Sequence, residues 1–173
     1  MNWAIGIDVG GTKIAGALVN GVGETRRFRS VPISTKGESS IAEVKEMAQR
    51  LLMFAETDHL AIDGIGIAVP GAVDINTGVV IRAPNLGWEN FPLKATFEVA
   101  LAVPVEVELD VRAAALGAML SDLARDVRNF VYVTIGTGIG AGIVMNGDLY
   151  HGFHSCSGEI GQCVLVEDGP RSG

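Results

Sequence analysis

Two stretches of the chain share one arrangement: a short apolar run, a loop of glycine and threonine, then a second apolar run. Trp3-Ala4-Ile5-Gly6-Ile7-Asp8 leads into Val9-Gly10-Gly11-Thr12-Lys13, and Phe130 to Ile135 leads into Gly136-Thr137-Gly138-Ile139-Gly140. Such runs read as buried strands, and the loops between them as sites where backbone is approached closely. Residues 13–20 and 25–33 follow the first loop as strands, separated by the hairpin signal Asn20-Gly21. The chain therefore opens with an antiparallel meander and not with a βαβ unit.

Ser40-Ile41-Ala42-Glu43 has capping-box spacing and begins a helix whose buried stripe is Ile41, Val44, Met47, Ala48, Leu51 and Leu52. Residues 62–69 form a nearly uncharged strand ending at Pro70-Gly71, and residues 71–91 read as loop-rich. A helix follows Pro92, a strand covers 103–109, and an Ala-rich helix runs from Val111 to about Leu123. The second glycine loop then lies between strands at 130–135 and 143–145, with Asn146-Gly147 as the next turn. These elements predict an α/β chain with a complete first domain over 1–128 and the opening strands of a second over 129–173.

Glycine supplies 23 of 173 residues, and apolar residues 48%, which is enough for a real core and excludes a disordered chain. Thirteen Lys+Arg against twenty Asp+Glu give a net charge of −7, which argues against nucleic-acid and anionic-membrane partners. Two cysteines, Cys156 and Cys163, suit a reducing compartment. The N-terminus has no basic stretch followed by a long apolar run. The uncharged window from Phe130 to Gly147 is too glycine-rich for a lipid-facing helix. A soluble, cytoplasmic protein is expected.

In the first loop, Gly10 and Gly11 free the backbone for a phosphate, Thr12 adds a hydroxyl and Lys13 a charge, while Asp8 suits a hydrated Mg²⁺. The same residues also suit a plain hairpin turn with a capping Asp. Gly-Thr-Lys breaks the Walker order of Gly-Lys-Ser/Thr. The second string, Gly136, Thr137, Gly138 and Gly140, leaves no room for the helix a dinucleotide fingerprint must open. Two such loops, each heading a similar β-unit, suit one polyphosphate held across a cleft.

Taken in order, Asp8-Val9-Gly10-Gly11-Thr12-Lys13, Val69-Pro70-Gly71, Ala83-Pro84-Asn85-Leu86-Gly87-Trp88, Ala113-Ala114-Ala115-Leu116-Gly117, Gly136-Thr137-Gly138-Ile139-Gly140 and Gly158-Glu159-Ile160-Gly161 resemble the motifs of ROK-family sugar kinases. The resemblance implies the actin/hexokinase-like ATPase fold, built of ribonuclease H-like domains, with Mg-ATP as cofactor and a hexose as substrate. It makes Asp110 the general base and gives the hydroxyl contacts to Asn85, Asp110 and Glu159, with Gly71 allowing close backbone approach. Read without it, Asp110 is a helix N-cap, Asn85 a turn residue and Glu159 a solvated acid.

The chain departs from the family pattern in three places. Leu109 and Arg112 stand where asparagines usually flank the base, and Gln162 stands where a histidine opens the zinc segment. His151, His154, Cys156 and Cys163 have no common ligand spacing, so no zinc site is expected. The alternative to a glucokinase-like enzyme is a shortened, catalytically impaired relative that binds sugar or serves as a subunit. A ROK-type repressor would need a DNA-binding module ahead of Asp8. Unpaired strand edges in the second domain lead us to expect a homo-oligomer, or pairing with another chain that completes it.

Overall fold

The computed structural model describes residues 2–33, 36–121, 124–136, 138–164 and 166. Two units are distinguished, Met1–Asp110 and Val111–Gly173. The first contains β1 (Trp3–Val9), β2 (Lys13–Asn20), β3 (Thr25–Pro32), α1 (Glu38–Thr57), β4 (Ile62–Val69), β5 (Ala72–Asp74), β6 (Val79–Ala83), β7 (Trp88–Phe91), α2 (Leu93–Leu101) and β8 (Val105–Leu109). Its main sheet has the order β3-β2-β1-β4-β8. β1, β2 and β3 are antiparallel neighbours, whereas β1, β4 and β8 run parallel.

One face of this sheet is apolar by strict alternation. Trp3, Ile5, Ile7 and Val9 of β1 are buried together with Ile14 and Leu18 of β2 and Ile65, Ile67 and Val69 of β4. Against them α1 lays Val44, Met47, Ala48, Leu51 and Ala55. The approach is close: a Cβ on Gly16 would come within 2.9 Å of Leu51 Cδ1.

Two local readings are corrected by the structure. The helix starts at Glu38, not at a Ser40 capping box, and its N-cap is Gly37 at φ +64°. The Ser40 hydroxyl is engaged elsewhere: it donates to the Gly37 carbonyl (2.7 Å) and accepts from Trp88 Nε1 (2.8 Å). Residues 71–91, read as loop, contain the three-stranded antiparallel sheet β5-β6-β7. Its strands are short and its turns dense in Gly, Asn and Pro, so turn chemistry outweighs the strand pattern. At the Asn20 turn the hairpin reading holds, with Asn20 Oδ1 accepting from the amides of Val22 and Glu24.

The second unit carries α3 (Asp110–Leu120, whose first residue closes the first unit), β9 (Phe130–Ile135), β10 (Ile139–Met145), β11 (Asp148–Tyr150) and a 3-10 turn, Ile160–Gln162. The strands form an antiparallel sheet, β11-β10-β9. β10 starts four residues earlier than expected, so Gly140 pairs with Thr134 inside the ladder instead of lying in the loop. Small residues make that possible: a Cβ on Gly142 would sit 2.5 Å from the Cβ of Ala115 on α3. Asn146 and Gly147, both at positive φ, form the turn into β11.

Leu51 is fully buried between α1 and the sheet. Leu51→Ala should lower stability by about 2–5 kcal/mol, read from the urea midpoint; an unchanged midpoint would contradict the packing described.

Candidate functional site

The carboxyl ends of β1, β4 and β8 fall on one edge of the first unit's sheet. Asp8 is aligned with Ala68, and Ala68 with Glu108, so Asp8 and Glu108 share a row two strands apart, about 10 Å at ordinary strand spacing. Beyond the ends of those strands lie the Gly10-Gly11-Thr12 turn, Pro70-Gly71 and Asp110. Open α/β sheets bind ligands at such an edge.

The first loop is tight. Gly10 N donates to Lys13 O at 2.9 Å, and β1 and β2 separate only after the Val9–Ile14 pair. Asp8 is at the exposed end of β1; partial desolvation of its carboxylate raises its pKa above the usual 3.8, and the positive charge of Lys13 opposes that shift. Lys13 is itself the first residue of β2. Asn85 belongs with this loop: a Cβ on Gly11 would be 3.4 Å from Asn85 Cβ.

Asn85 rides on a braced turn that sequence reasoning missed. Gly37 N donates to Leu86 O (2.8 Å), and the Trp88 indole donates to both Gly37 O and Ser40 Oγ. Ser40 and Leu86 are buried while Asn85 stays exposed. The only trace of this brace in the sequence is Ser40 itself, which is equally well explained as a cap.

Gly71 has a structural reason to be glycine. Its φ is +104°, and a Cβ there would lie 2.1 Å from Arg82 O, so backbone approach is already used within the protein. Asp110 is the first residue of α3, directly after Leu109, which is buried on the same face of β8 as Val105 and Val107. The unit thus brings Asp8, Gly10, Gly11, Thr12, Lys13, Gly71, Asn85 and Asp110 into one region.

Gly136, Gly138, Gly140 and Glu159 belong to the second unit. Gly136 N donates to Gly138 O at 2.9 Å, closing the second loop much as Gly10 and Lys13 close the first. Thr137 lies outside the described residues. Glu159 is exposed at the start of the 3-10 turn, where its carbonyl accepts from Gln162 N. Among the described residues no group of three or more His, Cys, Asp or Glu is arranged to hold a metal, and no helix is long and apolar enough to cross a membrane.

This β-β-β-α-β core with loops at its carboxyl edge is the actin-like ATPase fold of known sugar kinases. A ROK family glucokinase from Streptomyces griseus, solved with glucose and AMPPNP, superposes with a TM-score of 0.86 at 30% identity, over 96% of this chain and 52% of that one. Residues 4–173 match the sequence profile of the ROK family, and the chain belongs to that family. A glucokinase of Halalkalibacterium halodurans is 33% identical over 96% of this chain and 51% of its own length. The xylose repressor of Bacillus subtilis is 32% identical over 98% of this chain and 44% of its own. The chain therefore spans about half the length of the curated relatives it matches.

The raised pKa of Asp8 has a calculable sign. A carboxyl that holds its proton more tightly when folded than at 3.8 unfolded makes stability fall as pH rises from that value through the folded pKa. Asp8→Asn removes the penalty. The variant should melt above the wild type at pH 7, the gap closing as pH falls toward 3.8; a wild type that melts higher at pH 7 would refute the desolvation.

Proposed function

We propose that the chain carries the sugar-side half of an ATP-dependent hexose kinase, with Asp110 as general base. The single observation that carries this reading is the shared edge: Asp8 with its glycine turn, Asn85 and Asp110 gather where β1, β4 and β8 end. The glucose and AMPPNP held by the Streptomyces griseus relative point to the same pair of ligands.

The donor set fits Mg-ATP. Asp8 offers the hard carboxylate oxygen that Mg²⁺ prefers, Gly10 and Gly11 form the tight turn beside it, and Thr12 and Lys13 offer a hydroxyl and a charge. When bound, Mg-ATP supplies the transferable phosphoryl group and neutralises charge on it. The chain's own residues do the remainder. Asn85 and Glu159 bind and orient sugar hydroxyls, and Asp110 accepts the proton of the attacking hydroxyl. Gly136, Thr137 and Gly138 take the nucleotide-side phosphate contacts, while Gly140, paired with Thr134, holds the base of that loop. The domain boundary at 128/129, a cytoplasmic location and homo-oligomerisation are part of this reading.

A second reading, a relative that binds sugar without turnover, is favoured by Leu109 and Arg112. Both are buried, so neither side chain offers the amide the family pattern has there.

In a coupled ADP-release assay with a panel of hexoses, turnover should fall about 10²–10⁴-fold in Asp110→Asn. Equal rates from mutant and wild type would remove the base. A folded wild type that binds glucose but releases no ADP would establish the second reading.

A further inference from the structure

Arg112 is the largest fully buried side chain among the described residues, 0% exposed in the first turn of α3. A guanidinium out of water is tolerated only where acceptors meet its fork of donors. One acceptor is the carbonyl oxygen of Ser155, to which Nη1 donates at 2.9 Å across 43 residues of sequence.

Ser155 sits in the segment that links β11 to Glu159. That segment is folded on itself: Ser157 N donates to His151 O, Ser155 N to Gly152 O, and the Ser157 hydroxyl to Tyr150 O. Its far end is fixed to β10, where Ala141 N donates to Gly158 O at 2.8 Å and a Cβ on Gly158 would lie 1.8 Å from Ala141 O. Ser155 itself is at φ +55°, a backbone state that a serine keeps only when its surroundings impose it. Arg112 supplies such a constraint from the helix side, and Gly158 supplies one from the strand side. The next residue after Gly158 is Glu159.

We infer that Arg112 is a positioning residue: its bond to Ser155 O holds the 152–158 segment, and through it the sugar-binding carboxylate of Glu159. The inference rests on the reading of Glu159 as a sugar ligand. It assigns a role to the position where the chain departs from the family's asparagine, and the role is mechanical. Arginine reaches the segment with a rigid, planar, permanently charged fork of donors; lysine offers a charged but flexible ammonium, glutamine a neutral amide, methionine no donor.

The test compares the wild-type chain with Arg112→Met, Arg112→Gln, Arg112→Lys and Glu159→Gln by backbone hydrogen exchange and by calorimetric titration with glucose. Arg112→Met should speed exchange in peptides covering 152–159 and weaken glucose binding, each by about tenfold, as expected for losing a charge-assisted bond. Peptides from β1, β4 and β8 should be unchanged, and Arg112→Lys should recover part of both effects. Should Arg112→Met fail to fold, Arg112→Gln carries the same comparison. Wild-type exchange over 152–159 in these variants, with Glu159→Gln still losing glucose, overturns the role of Arg112 alone. Glucose binding by Glu159→Gln equal to wild type overturns the assignment of Glu159, and the inference with it.

Discussion

Everything at the candidate site depends on the parallel register of β1, β4 and β8. Asp8, Ala68 and Glu108 stand in one row because the buried residues of the three strands interlock: Ile5 and Ile7 against Ile65 and Ile67, and these against Val105 and Val107. Slipping β8 by one residue would turn Val105, Val107 and Leu109 to the opposite face and expose them. It would also displace Asp110 by about 3.3 Å along the strand. The packing that stabilises the sheet is therefore what fixes the spacing between the Gly10-Gly11 turn and Asp110. The kinase reaction proposed above would need that spacing held firmly, since effective molarity falls quickly once reacting groups drift from attack geometry.

The glycine excess serves two different ends. Gly16 and Gly142 let helices press against strands, and Gly71 and Gly158 let loop backbone touch neighbouring carbonyl groups. Gly136 and Gly138 have no heavy atom within 4 Å of an added Cβ, whereas Gly10 meets the Lys13 carbonyl at 3.2 Å and Gly11 meets Asn85 at 3.4 Å. In the first group the space is filled by the protein. Only around Gly136 and Gly138, in the second loop, is the space open. The division separates packed from open glycines more sharply than the sequence motif does, because a string such as Gly136 to Gly142 contains both kinds.

Most of the first unit is legible in the sequence because alternation and punctuation agree there. The apolar run 62–69 with Pro70 bounds β4 to the residue, and the run 130–135 bounds β9. What escaped was what depends on contacts distant in sequence. The β5-β6-β7 sheet is built of strands of three to five residues, too short for periodicity to emerge from their turns. Ser40 looked like a cap because its partner, Trp88, is 48 residues away. The same holds for β10, whose early glycines read as loop until Ala115 and Val111 of α3 supply the neighbours that glycine accommodates. At the site, the gathering of Asp8, Asn85 and Asp110 follows from strand order. No spacing within the sequence encodes that order.

Leu109 and Arg112 look, as letters, like lost sugar contacts beside the base. In three dimensions their burial changes the comparison. The residue before Asp110 has its orientation set by strand parity: Val105 and Val107 are buried, Glu106 and Glu108 are not, and position 109 takes the buried side. A leucine there continues the apolar row, while an asparagine would need a buried partner for its amide. Arg112, likewise inside, spends at least one donor on the protein's own backbone. Both side chains are turned to the protein interior. Asp110, Asn85 and Glu159 are by contrast exposed or half-exposed, which leaves their side chains open for the roles proposed above.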